Sequence, residues 1–344
     1  MVKKKRNEVL DIAKGIAIIL VVFGHCIQFG NGLEFLERGT FFDDWLFKII
    51  YSFHMPLFMM VSGYFYFFTL TKNSFKELIV SRINKILVPI FVWGGLFTVV
   101  TIIGKGGESN VINVIISYVK YSILSLWFLW AVFWCSLIVL FVNRFFKDNI
   151  FVYILGFIVT FVITDSLNFS VYKFMYPFFV GGYLYSKNKE KIDKKILIVK
   201  VEHLLIGLFV LYILLIFNFE RSSFIYTSGY TIIGINMINQ IYINLFRLFI
   251  GLFGSVFILL LINFLIKKYG YRKVYLISKL GKESLGIYII SGYLILILSR
   301  FTPDLKLNYL INIVETFAIL VLSYFFTILL SQFNVTNKFL FGGR

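Results

Sequence analysis

Ionisable residues stand inside otherwise apolar stretches of this 344-residue chain, and the short list is Asp11, Lys14, His25, His54, Lys173 and Arg247. An ionisable group at membrane depth costs several kcal/mol, so each marks a site of function by default. Histidine is the side chain whose ordinary titration suits a general base near neutral pH. Lys14 and His25 are eleven residues apart. At about 100° and 1.5 Å per residue, one helix places them on nearly the same face, about 16 Å apart along its axis. Asp11, one turn before Lys14, is placed to pair with it. The plain structural alternative is a lysine that snorkels to the interface and a histidine that hydrogen-bonds between helices.

His54 lies in Tyr51-Ser-Phe-His-Met-Pro-Leu-Phe. It falls at a depth like that of His25, and Pro56 frees a backbone carbonyl one turn earlier. Two imidazoles at one depth make a candidate polar cavity. The remaining histidine, His203, sits toward the other side. Without a third good ligand, no metal site is expected. Cys26 and Cys135 lie within apolar spans, form no CxxC pair, and read as buried thiols.

Arg82-x-x-Lys85 followed by Pro89 reads as a basic anchor or as a cationic clamp for phosphates. Ser62-Gly63 reads as close packing between helices, with Tyr64 beside it. Trp127-Phe-Leu-Trp130 reads as an interfacial aromatic belt. Lys173 and Arg247 require partners or a wet cavity.

The elements that must hold these residues are membrane helices. Hydrophobic residues make up 59% of the chain and charged residues 15%, and the mean hydropathy is +0.87. A water-soluble domain of that composition would expose too much apolar surface. The apolar runs are long and continuous, which excludes the ten-residue alternation of a barrel. The expected class is all-α: a polytopic transmembrane helical bundle of about ten helices. The spans fall near 9–30, 44–70, 86–104, 122–143, 150–165, 169–186, 197–218, 240–266, 284–300 and 307–332. The first is read as a retained helix, because Asp11 and Lys14 interrupt a signal-peptide reading. Segment 222–239 is a re-entrant or interfacial piece, or an extension of the eighth helix.

With the N-terminus in the cytoplasm, 24 of the 34 lysines and arginines fall on the inner side and seven on the outer. That bias sets the orientation, with both termini cytoplasmic. It also accounts for the net charge of +17 without a nucleic-acid partner. Loops are short and there is no internal repeat, so residues 1–344 read as a single integral membrane domain. The expected location is a bacterial plasma membrane, as a multi-pass protein.

Five segments in order resemble the acyltransferase family 3 of bacterial membrane acyltransferases. They are Leu10-Asp11-Ile-Ala-Lys14-Gly15 running to Gly24-His25, Phe53-His54-Met55-Pro56-Leu57-Phe58 with Ser62-Gly63-Tyr64, Arg82-x-x-Lys85 with Pro89, Leu126-Trp127-Phe128-Leu129, and Leu280-Gly281-x-x-Ser284-Leu285-x-Ile287-Tyr288. The stretch from Phe53 to Tyr64 is especially similar to fucose 4-O-acetylase-type members. The chain departs from the family at Ser291, where many members carry histidine. The resemblance implies an acyl-CoA donor substrate, in the first place acetyl-CoA, with no bound cofactor. It also implies a carbohydrate hydroxyl as acceptor. His25 would then act as base, with His54 and Lys14 in the same chemistry. Lys14, Arg82 and Lys85 would neutralise donor phosphates, and Asp11, Tyr64, Trp127 and Arg247 would line the acceptor site. A transporter or flippase for a glycan or lipid-linked sugar would use the same polar lining without reacting. A polytopic sensor or scaffold is a third reading.

Overall fold

The computed structural model describes residues 7–29, 39–104, 110–166, 168–196, 200–233, 236–298 and 308–343. The basic residues 3–6 and the acidic Glu34 and Glu37 lie outside them. Every regular element among the described residues is helical. In chain order these are α1 (Glu8–Phe29), α2 (Trp45–Leu70), α3 (Phe75–Arg82), α4 (Val88–Gly104), α5 (Val111–Leu124), α6 (Trp127–Phe146), α7 (Ile150–Val162), α8 (Phe169–Lys187) and α9 (Lys189–Ile196). There follow α10 (Val201–Phe217), α11 (Ile225–Ser228), α12 (Met237–Tyr269), α13 (Tyr275–Lys282), α14 (Ser284–Leu298), α15 (Tyr309–Ser331) and α16 (Asn334–Phe341).

Among the described residues, six spans are long and apolar enough to cross a membrane: α1, α2, the α3–α4 run, α6, α12 and α15. The α13–α14 pair, bent by 69°, makes a seventh if it is counted as one span. Helices α5, α7 and α10 are apolar but shorter. Large apolar side chains face outward, with Ile238, Phe151 and Leu310 all more than 70% exposed. Lipid is the solvent in which such a surface is stable, and the protein is an integral membrane helix bundle.

Two segments differ from the sequence reading. Residues 111–121, outside the expected spans, belong to α5, which is started by the Asn110 side chain accepting the Ile112 amide at 2.9 Å. Segment 222–239 is neither one re-entrant piece nor wholly part of the eighth span. It makes a 3₁₀ turn at Arg221–Ser223 and the single turn α11, and α12 begins at Met237.

The chain forms two compact units, each described by itself. The first comprises Met1–Val61, Tyr185–Ser228 and Ile241–Ile328, and the second Ser62–Leu184, Gly229–Gln240 and Leu329–Arg344. In the first unit α1 lies against α13 with backbones nearly touching. A β-carbon on Gly15 would run into the Ile277 carbonyl, and one on Gly281 into the Asp11 carbonyl. Glycine at both crossings is what permits this approach between membrane helices. The approach buries Asp11 and fixes the register of α1, and therefore the depth of His25. In the same unit the Ser255 hydroxyl of α12 reaches the Phe53 carbonyl of α2 at 3.3 Å. In the second unit a β-carbon on Gly63 would overlap the Phe179 carbonyl of α8, the close packing expected of Ser62-Gly63.

Candidate functional site: a paired-imidazole cluster and two cationic positions

His25 and His54 come together around Tyr51 in the first unit. The His25 Nδ1 lies 3.3 Å from the Gln28 amide oxygen and 3.5 Å from the Tyr51 hydroxyl. The Tyr51 hydroxyl donates to that same Gln28 oxygen at 3.3 Å. An amide oxygen only accepts, so the His25 proton sits on Nδ1 and the lone pair on Nε2. The Tyr51 ring meets the His54 ring edge-on, with centroids 4.8 Å apart. The His54 Nδ1 lies 2.6 Å from the Ile50 carbonyl, which again only accepts. Both imidazoles therefore turn a basic Nε2 away from their anchored side. Among the described residues neither Nε2 has a hydrogen-bond partner.

Gln28 is three residues after His25, and Tyr51 three before His54. That is the spacing at which helix side chains meet. The sequence reading misses both residues, although this spacing is visible there.

At the other end of α1, Lys14 Nζ lies 3.2 Å from the Asp11 carboxylate. Asp11 is fully buried and Lys14 half-buried. The pair forms as the spacing required.

Arg247 is buried in α12, and its guanidinium grips the turn preceding that helix. Nε donates to the Ser223 carbonyl at 2.8 Å, and one terminal nitrogen to the Ser222 and Phe224 carbonyls at 2.7 and 3.2 Å. The Ser228 hydroxyl and the Asn244 amide oxygen also accept from it. This grip sets Phe224 against Phe47 and Tyr51, with ring centroids 5.5 and 6.3 Å away. Arg247 thus shapes the wall beside the imidazoles through the turn it holds. On the same stretch of α2, the Ser52 and Tyr212 hydroxyls hydrogen-bond at 2.8 Å.

The other sequence candidates lie in the second unit. Tyr64 is buried and packs edge-on against Phe65. Trp127 begins α6, half-buried against Phe128. Arg82 and Lys85 meet different surroundings. The backbone of Ile83–Leu87 is a π-helical turn, which breaks the register that would put residues three apart on one face. Arg82 lies over the Tyr66 ring at 4.5 Å, while Lys85 lines a cavity of about 750 Å³ with Lys76 and Lys338. The Arg82 Nε and the Tyr66 hydroxyl are buried without hydrogen-bond partners among the described residues. Buried polar groups in that state are places where a ligand or water completes the bonding.

Lys173, whose partner the sequence leaves unnamed, pairs with Asp165 at 2.6 Å and donates to the Ile163 carbonyl at 2.5 Å. The Asp165 carboxylate also accepts the Tyr230 and Thr231 amides at 2.6 and 3.0 Å. Burial works to raise the Asp165 pKa. The Lys173 ammonium and the two amides outweigh it and hold the carboxyl below its ordinary value.

Paired imidazoles lie here inside a polytopic membrane helix bundle, with separate buried cations. The chain belongs to the acyltransferase family 3, whose model, described as an acyltransferase domain, matches residues 7–332. It is similar to the nodulation protein NolL of Sinorhizobium fredii, with 30% identity over 187 residues, 54% of this chain and 50% of that protein. It is also similar to the nodulation protein NolL of Mesorhizobium japonicum, with 28% identity over 183 residues, 53% and 48% of the two chains. The chain spans about half the length of these curated relatives. No solved structure matches it.

Proposed function

We propose that the protein is a membrane O-acyltransferase that moves an acyl group, in the first place acetyl, from acyl-CoA to a carbohydrate hydroxyl. The observation that carries this reading is the pair of imidazoles with Nδ1–H anchored and Nε2 basic, in a chain matched by the acyltransferase family along nearly its whole length. The acceptor class is supported by the likeness of Phe53-His54-Met55-Pro56-Leu57-Phe58 to fucose 4-O-acetylase-type members.

In the proposed reaction Nε2 of His25 takes the acceptor hydroxyl proton as the oxygen attacks the thioester carbonyl. The tetrahedral intermediate then expels the coenzyme A sulfur, which recovers that proton from the imidazolium and leaves as the thiol. The Gln28 oxygen holds Nδ1–H throughout and stabilises the imidazolium. His54, fixed by the Ile50 carbonyl, orients the acceptor or shares the base role. Lys14, held by Asp11 in the first unit, and Arg82 and Lys85 in the second are each candidates to supply positive charge for donor phosphates. Tyr64 and Trp127 remain candidates for acceptor contact. Arg247 is assigned to positioning, through the 222–228 turn.

The topology that goes with this reading has about ten spans and cytoplasmic termini, forming one membrane domain. Helices α7, α8 and α10 and the bent α13–α14 pair supply the spans beyond the six long ones, and α5 is an added helix on the outer side. The charge bias supports the orientation, and a bacterial plasma membrane is the matching location.

The test is purified full-length protein supplied with acetyl-CoA and candidate glycans. Acetyl-CoA consumed only when a sugar acceptor is present supports the enzyme. Glycan movement across proteoliposomes without ester formation would instead establish the flippase reading.

A further inference from the structure

The 750 Å³ cavity in the second unit has a feature that the donor reading does not require. Two of its three lysines lie outside the Arg82-x-x-Lys85 motif, and one of them lies beyond the stretch matched by the family. Lys76 comes from α3, Lys85 from the π-helical turn, and Lys338 from α16. None of the three has an ion-pair partner among the described residues. The one carboxylate at the rim, Glu77, is engaged in the capping box of α3, where it accepts the Ser74 amide at 2.8 Å. Three ammonium groups around one hollow repel each other, and a bound anion relieves that repulsion. A hollow of this size is in the range of small-molecule sites.

The wall that carries Lys338 is built into the fold. Trp93 of α4 donates its indole N–H to the Leu340 carbonyl at 2.9 Å, and Phe341 is fully buried beside the Trp93 ring. Gly342 ends α16 at φ +76°, a left-handed conformation natural to glycine, and its α-carbon faces the Lys85 backbone so closely that a β-carbon would collide with it. Lys338 is therefore held at the same hollow as Lys85 by a specific turn.

We propose that this cavity binds a phosphate-bearing ligand at the cytoplasmic membrane face, with Lys76 and Lys338 adding to Lys85. Its source is the nucleotide end of the acyl donor, which rests on the donor reading above, or the headgroup of an anionic phospholipid. Ammonium groups recognise either as a cluster of phosphate oxygens.

The experiment uses the full chain in phosphatidylcholine nanodiscs titrated with coenzyme A, and in parallel discs containing phosphatidylglycerol. Lys76→Ala and Lys338→Ala are each expected to weaken coenzyme A binding about tenfold at low salt, with the loss shrinking as salt rises. Lys338→Arg should restore affinity to within about threefold. Gly342→Ala leaves every charge in place and should reproduce the Lys338→Ala loss by displacing the wall. If coenzyme A affinity is unchanged in all variants but phosphatidylglycerol no longer raises their melting temperature as it does for the unmodified chain, the phosphate comes from lipid. Variants that keep both coenzyme A affinity and lipid stabilisation overturn the cavity while leaving the donor reading intact. An unmodified chain that binds no coenzyme A, yet shows lysine-dependent lipid stabilisation, overturns the donor reading and keeps the cavity.

Discussion

The Tyr51 cluster and the Asp165–Lys173 latch answer the same physical problem in opposite ways. Both put titratable side chains into a low-dielectric setting, where every unsatisfied polar group is expensive. At the latch, the Lys173 ammonium meets a carboxylate and a backbone carbonyl, and Asp165 gathers two further amides. That bonding ties residues 229–231 down to α8 and to the end of α7. At the cluster, each imidazole is anchored at one nitrogen and keeps the other basic. The difference separates a polar group that holds the fold from one that can do chemistry. A membrane protein tolerates the second kind only where a substrate or water supplies the missing partner.

The comparison breaks most visibly at His25. Replacing it with Gln removes the basic nitrogen while preserving volume and polarity. The expected result is a 10²- to 10⁴-fold loss of acyl transfer, about 3–5 kcal/mol in the barrier, with unchanged expression and thermal stability. Lys14→Ala should instead raise the KM for acyl-CoA, since Lys14 lies about 16 Å from His25 along α1. Quantifying ester-linked acyl groups on the acceptor, against melting curves in the same detergent, reads both halves. Equal activity in the His25→Gln protein would return the cluster to a structural role.

Lys173→Ala probes the opposite side of the comparison. It leaves the Asp165 carboxylate without its cation, and the expected loss is on the order of 2 kcal/mol of stability. The acyl-transfer rate per folded molecule should stay near that of the unmodified protein. A large rate loss at normal stability would make the latch part of the chemistry.

How far these regions are legible in the sequence follows from the range of the interactions. Contacts within one helix are readable: Lys14 with Asp11 follows from the helix repeat. Partners across long sequence gaps are not. Lys173 meets an aspartate eight residues back, in the loop before its own helix, plus amides near residue 230, and no periodicity predicts that. The sequence alone points Arg247 toward the acceptor, but its guanidinium holds the 222–224 carbonyls, a turn that only the fold brings alongside. The Arg82-x-x-Lys85 spacing reads as one clamp only if the backbone is α-helical. The π-helical turn at Ile83–Leu87 redirects Lys85, and no residue in that stretch announces it. Lys338 counts in the sequence only as an inner charge, since its place at the cavity depends on the packing of α16 against Trp93.

Tyr51→Phe sharpens the cluster at smaller amplitude. It removes the hydroxyl that shares the Gln28 oxygen with His25 but keeps the ring against His54. One neutral hydrogen bond is worth about 1 kcal/mol, so turnover should fall about fivefold with little change in KM.

The smallest expected effect is the acid response of the latch. Asp165 has a lowered pKa in the folded protein, so its ionised form is favoured by folding. Its contribution is fully present above the ordinary aspartate value near pH 4 and is lost as the pH falls through the lowered folded value. Part of the acid destabilisation between pH 5 and 3 should therefore disappear in Asp165→Asn, measured as the slope of melting temperature against pH. Asp165→Asn should also start from a lower melting temperature at pH 7, because the neutral amide no longer pairs with Lys173. If Asp165→Asn and the unmodified chain lose stability in parallel over this range, the carboxylate is not what fastens residues 229–231, and the contrast between a fold-holding and a reactive polar site fails on its structural side.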